Sequence, residues 1–196
     1  MAASKTILFY KPDQVLSTFS DLAGRETLKT YIPLEHIYSA GRLDYESEGL
    51  LVITGDGDLI NKLTDPKHHQ VKTYLAQLEG VSDISRLKLL EAGVQLKDFR
   101  SQPCKVMLVE TPGLEERRKP VTPHGPTFWI RIQISEGKKH QIRHMSAAVG
   151  YPCLRLIRVA IGSIGIGDLN PGQWRELTEQ EVALLKKWRK SMCNYS

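Results

Sequence analysis

The sequence predicts an α+β fold, and three observations predict it. Short runs that alternate apolar and polar residues recur along the chain, as in the FWIRIQI of Phe128–Ile134, and mark half-buried strands. Between them lie segments with apolar residues three and four apart, such as Ile142, Met145 and Val149, which mark helices. No internal repeat or low-complexity tract is present, so neither a solenoid nor a fibrous array is implied. With 196 residues, 41% of them hydrophobic and 25% charged, the chain can bury a sizeable core.

Taken in order, Thr6–Tyr10 is expected as a strand closed by Lys11-Pro12, Glu26–Tyr31 as a short helix ended by Pro33, and His36–Ala40 as a second strand leading into Gly41. Leu50–Thr54 is apolar until its final threonine, which suits a central strand buried on both faces. Gly55-Asp56-Gly57 turns the chain into a helix over Asp58–Leu63, stopped by Asp65-Pro66. Tyr74–Leu78 is a strand, Ile84–Glu91 a helix with a serine or aspartate cap and Gly93 at its end, and Lys105–Val109 a further strand. Thr111–Pro126 holds four of the ten prolines and is expected as a long surface loop. After strand Phe128–Ile134, a basic amphipathic helix spans KKHQIRHMSAAV, with Gly150 where a left-handed cap belongs. Strand-like LRLIRVAI, a short Trp174–Leu177 segment and a basic helix from about Glu179 to Lys190 complete the chain.

No stretch approaches the roughly 20 apolar residues of a membrane span, and the four-residue apolar run near the N-terminus falls short of a signal-peptide core, so a soluble cytoplasmic protein is expected. Cys104, Cys153 and Cys193 are odd in number and far apart, which suits neither a disulfide framework nor a Cys-x-x-Cys metal site. Charge is uneven. Residues 117–158 carry nine cations against Glu136 alone, a net of +8 in a chain whose total is +5, so the remainder carries −3. A basic stretch of this kind suits a polyanion, and equally a solvated surface.

Residues 41–57 read GRLDYESEGLLVITGDG, placing Asp44, Glu46 and Glu48 on alternate positions at the mouth of the apolar strand. A glycosidase pair needs two carboxyls roughly 5–10 Å apart, which an extended segment could supply, yet sugar-stacking aromatics are missing around it. A metal reading would recruit His68-His69, or His140 and His144, but the second pair sits among Lys138, Lys139 and Arg143, which repel a cation, and no metal is expected. The third reading pairs Asp44 with Arg143 from the basic helix, whose guanidinium fork would keep a nucleophilic or basic aspartate ionised and oriented. On this basis Glu46 and Glu48 face solvent or bond amides of their own turn.

The order and spacing of GRLDYESEGLLVITGDGDLINKLTDP, KTYLAQLEG at 72–80, EGKKHQIRHM at 136–145, LRLIR at 154–158 and GQWRELT at 172–178 resemble the RsuA-type family of ribosomal RNA pseudouridine synthases. The resemblance covers about residues 5 to 178. It implies a pseudouridine synthase fold: a mixed, largely antiparallel central sheet flanked by helices, with the active-site cleft across the sheet. It further implies isomerisation of a specific uridine of ribosomal RNA, here of the large subunit, without a cofactor. Carried over by motif, Asp44 is the catalytic aspartate, Tyr74 the tyrosine that stacks on the flipped uracil, and Arg143 the arginine that pairs with the aspartate. RNA contacts are expected from Arg42, Lys72, Arg117, Arg118, Lys119, Lys138, Lys139, His140, Arg155 and Arg158, and Leu154 or Leu156 is expected under the uracil. Tyr45-Glu46 and His144 depart from the family pattern and bear on RNA contacts rather than on the three carried-over residues. Residues 1–178 are expected as the catalytic module and 179–196 as a C-terminal basic helix and tail, in a protein acting as a monomer. An S4-type RNA-binding domain, frequent in the family, is not expected before a strand that starts by about Thr6. The competing reading is an assembly factor that binds ribosomal RNA without catalysis.

Overall fold

A computed structural model describes residues 5–68 and 70–187. Its centre is one nine-stranded sheet of β1 (Thr6–Lys11), β2 (Tyr38–Ser39), β3 (Glu48–Thr54), β4 (Lys72–Glu79), β5 (Lys105–Val109), β6 (Thr127–Ile134), β7 (Cys153–Ile161), β8 (Ile164–Gly165) and β9 (Trp174–Glu176). The main order is β5-β6-β4-β7-β3-β1-β9, with β2 beside β3 and β8 beside β7. Every pairing is antiparallel except β3 with β7, which run parallel through Glu48 opposite Ile157 and Gly49 opposite Arg158. The sheet is therefore mixed and largely antiparallel, as expected.

Alternation along the strands sends successive residues to opposite faces. Ile7, Phe9, Leu51, Ile53, Tyr74, Ala76 and Leu156 share one face with Leu87 and Leu90 of α2 (Ile84–Glu91) and Ile142 and Met145 of α3 (Gln141–Ala148). Leu8, Leu50 and Val52 point the other way, onto Leu59 and Leu63 of α1 (Gly57–Thr64) and Leu185 of α4 (Glu179–Lys187). All seven residues of β3 are buried, which explains why its sequence is apolar without alternation. Helix starts follow side-chain caps: Asp56 accepts from the Leu59 amide at 3.1 Å, and Asp83 from the Ser85 amide at 2.7 Å. No helix among the described residues is long and apolar enough to cross a membrane.

Three expected elements are shorter in the structure. Glu26–Tyr31 gives only a 3-10 turn over Leu28–Thr30, capped by Thr27. The second strand shrinks to Tyr38–Ser39, because His36 takes a left-handed conformation with φ of 55°. Helix α3 begins at Gln141 rather than at Lys138, since His140 at φ 52° breaks the helical path. Gly150 does adopt the left-handed cap, at φ 82°. β8 had no sequence signal beyond its two residues. The last helix is described to Lys187, so the expected residues 188–190 lie outside the described part.

Candidate active site

The sequence SEGLL is best understood residue by residue. The Ser47 amide donates to the Asp44 carbonyl at 3.0 Å and closes the turn that carries the aspartate. Glu48 is 1% exposed, and Arg155 meets it with both Nε at 3.0 Å and Nη2 at 2.8 Å. Gly49 has φ of 101°, and a Cβ there would lie 2.2 Å from the Arg158 carbonyl oxygen, so only glycine lets β7 come this close. The Leu50 carbonyl then accepts from Arg158 Nε at 2.7 Å. The motif thus docks β7 on β3 and aims the preceding turn.

That turn is held by its backbone. Ser17 Oγ donates to the Leu43 carbonyl at 2.9 Å, the Gln14 amide to the Tyr45 carbonyl at 2.8 Å, and Lys11 Nζ to the same carbonyl at 3.4 Å. Arg117 Nη2 and Arg143 Nη2 each reach the Glu46 carbonyl at 3.5 Å. Asp44 is left with its side chain 29% exposed, at a cleft of about 850 Å³ that runs across one face of the sheet. Tyr74 and Leu156 form part of the cleft floor, and Arg42, Arg100, Lys138 and Lys139 are exposed residues of its walls. His140, on the left-handed residue before α3, brings Nε2 to 3.5 Å from Asp44 Oδ1.

Several expectations need correction. Arg143 does not fork onto Asp44: its Nη1 donates to the Cys153 carbonyl at 2.8 Å and its Nη2 turns to the Glu46 carbonyl, so it grips the main chain beside the aspartate. Glu48 neither faces solvent nor bonds its own turn, because a buried carboxylate needs a cation and Arg155 supplies one. Arg155 and Arg117 are consequently unavailable to phosphates. Arg155 is spent on Glu48, while Arg117, its side chain 9% exposed, bridges Asp13 at 3.1 Å and Glu48 at 3.6 Å. The Thr111–Pro126 loop lacks regular structure, as expected, but Arg117 ties it to the interior. Arg118 pairs with Glu26 and bonds Tyr31, whereas Lys119 is exposed. Arg158 is 4% exposed and lines the cleft from inside, with Lys72 half-buried on the same wall. Leu156, rather than Leu154, lines the cleft.

Sequence reasoning missed Lys11 and Ser17, whose function lies in holding carbonyls of a turn 26 to 34 residues away. Lys11 is fully enclosed; burial, against the pull of Glu48, Asp13 and Asp44, brings its ammonium down to about 7. The Cys104 thiol is pushed up to about 12 by burial, then by Glu91 and Glu136, which suits a packing residue rather than a nucleophile. Of the histidines weighed as metal ligands, His69 lies outside the described residues.

Residues 5–148 match the family model described as RNA pseudouridylate synthase. A ribosomal large subunit pseudouridine synthase E of Vibrio parahaemolyticus is 47% identical over 175 residues, covering 88% of this chain and 74% of that one. The protein of the same name from Xanthomonas campestris is 47% identical over 174 residues, covering 86% of this chain and 93% of its own length. Among solved structures, a pseudouridylate synthase superposes with a TM-score of 0.78 at 27% identity, covering 94% of this chain and 75% of that one. The match includes the Asp44 turn, Tyr74 and the Arg143 helix, while Leu156 and Arg158 of β7, which also line the cleft, lie beyond it. The chain therefore belongs to the RNA pseudouridylate synthase family, enzymes that convert uridine in RNA to pseudouridine.

Proposed function

We propose that the enzyme acts in the cytoplasm as a monomer on one uridine of large-subunit ribosomal RNA, with Asp44 as its catalytic carboxylate. The observation that carries this reading is the placement of Asp44 on a turn whose backbone is pinned from several sides, at a cleft floored by Tyr74 and Leu156. A catalytic group gains from being fixed before the substrate arrives. The large-subunit assignment rests on the relatives named above. A uridine within folded RNA must leave its stack to reach Asp44, at a cost of a few kcal/mol, and the ring of Tyr74 offers it a replacement stack. The C1′–N1 bond then breaks, a C1′–C5 bond forms, and the hydrogen lost from C5 is matched by one gained at N1. Arg143 acts as a positioning residue through the Glu46 carbonyl, and Arg42, Lys119, Lys138, Lys139 and His140 face the RNA backbone.

Asp44→Asn keeps the shape of the side chain and removes its charge. Conversion of ribosomal RNA fragments, mapped as pseudouridine by carbodiimide-blocked reverse transcription, should fall at least about 10³-fold while RNA affinity holds. Turnover within tenfold of the parent enzyme would remove Asp44 from the chemistry.

A further inference from the structure

Arg158 stands out among the buried cations. Arg155 and Arg117 are each neutralised by carboxylates, but Arg158 forms no ion pair among the described residues. Its Nε is committed to the Leu50 carbonyl at 2.7 Å, which fixes the guanidinium plane, yet its Nη2 is buried without a hydrogen-bond partner. Ser47 Oγ and Gln70 Oε1 are likewise buried and unpartnered, and all three residues line the Asp44 cleft. Buried polar atoms are nearly always satisfied, so three orphans lining one cleft mark groups that await a ligand.

The register says which ligand. Arg158 lies opposite Tyr74 in the antiparallel β4–β7 pair, so both side chains leave the same face of the sheet. Lys72 is on that face too, and its ammonium is brought down to about 8, first by burial and then by the charge of Arg158, with no carboxylate opposing the shift. Two cations, Lys72 and Arg158, therefore adjoin the ring on which the proposed function seats the uracil. We propose that Arg158 is a further catalytic residue, donating through Nη2 to a carbonyl oxygen of the flipped uracil and stabilising the anion formed on that ring. This rests on the proposed placement of uracil over Tyr74. When the C1′–N1 bond breaks, its electron pair remains with N1 and spreads to O2 and O4, while C1′ is left electron-poor beside the Asp44 carboxylate until C5 bonds to it. The charge is discharged when C5 bonds to C1′, C5 loses its proton and N1 gains one. A fixed donor in a desolvated site is suited to charge that appears only during the reaction.

The test uses the full chain and an RNA fragment that it modifies, carrying uridine or 5-fluorouridine at the target. Fluorine makes the departing ring less basic, so that ring needs less help from a cation. Under single-turnover conditions Arg158→Met should slow uridine conversion by about 10²-fold or more, the usual loss for one such donor. Consumption of 5-fluorouridine should slow far less, and RNA affinity should stay within about threefold. Equal slowing of both substrates overturns the proposal; so does a loss confined to affinity, which would put the guanidinium on a backbone phosphate instead. If Arg158→Met does not fold, Arg158→Lys carries the same comparison, and the ratio of the two slowings decides. A parent enzyme that converts no uridine in any ribosomal RNA fragment would refute the function itself, whereas an active parent with a ratio near one sinks only the role of Arg158.

Discussion

Lys11 carries a charge that its surroundings tolerate poorly. Folded, it loses its proton near pH 7; unfolded, it keeps that proton to about 10.5. Between those values the unfolded chain binds one more proton than the folded chain, so raising the pH favours folding. Chemical denaturation should show the stability of the parent relative to Lys11→Met climbing by about 1.4 kcal/mol per pH unit from pH 7 to 10 and flat below pH 6. A difference that does not change with pH would mean that Lys11 stays charged inside. Tyr74 poses a separate question at the same scale. We propose that the Tyr74 hydroxyl takes the C5 proton; Tyr74→Phe keeps the ring face and deletes that hydroxyl, so capture of the base should persist while proton removal from C5 fails. Tyr74→Leu should weaken capture as well, stacking being worth roughly 1–3 kcal/mol. Unaltered single-turnover rates in the phenylalanine variant would show that the hydroxyl has no chemical part.

Between strands, the contact of β3 with β7 decides whether the site exists. Gly49→Ala would drive a methyl into the Arg158 backbone and strain φ as well, so β7 must retreat from the Asp44 turn. We expect thermal stability to drop and activity to vanish at temperatures where the variant is still folded; an active, stable variant would show that the close approach is dispensable. Glu48→Gln leaves the buried Arg155 without its carboxylate and Arg117 with Asp13 alone, and should cost about 3–5 kcal/mol in denaturant melts. Much of this architecture was legible in the residues. β1, β3, β4, β5, β6 and β7 follow from alternation or continuous apolarity, α1 from the Gly55-Asp56-Gly57 turn before it and α2 from its cap. The left-handed His36 and His140 escaped, because a non-glycine residue gives no local sign of a positive φ. The partners of Glu48 escaped for another reason: Arg155 lies 107 positions away, and only the fold brings the two together. The motifs singled out Asp44 and Tyr74, which both line the cleft, while the way Arg143 reaches the turn depends on the fold.

For the whole molecule, the basic excess of residues 117–158 overstates what RNA can reach, since Arg117, Arg155 and Arg118 are occupied by acids. Arg42, Arg100, Lys138 and Lys139 remain exposed at the cleft. About four phosphate contacts give a log–log salt slope near −3 to −4, and neutralising Lys138 or Lys139 should each make it shallower by about one unit. A slope steeper than about −6 would show that RNA reaches well beyond these four, to further cations such as the exposed Lys119 and Arg131. The strand order also has a bearing on how the polypeptide could be divided. β4, from the first half of the chain, sits between β6 and β7 from the second, and β3 and β1 lie between β7 and β9. A single cut in the exposed stretch 122–125 would separate two peptides that interlock like the fingers of clasped hands. Neither holds a complete sheet, because β1 to β5 fall on one and β6 to β9 on the other, and the cut also parts Asp44 and Tyr74 from Arg143 and Arg158. The nicked enzyme should stay associated and active through purification. After denaturation, its recovery should become second order in peptide concentration, turning an intramolecular folding problem into a bimolecular one.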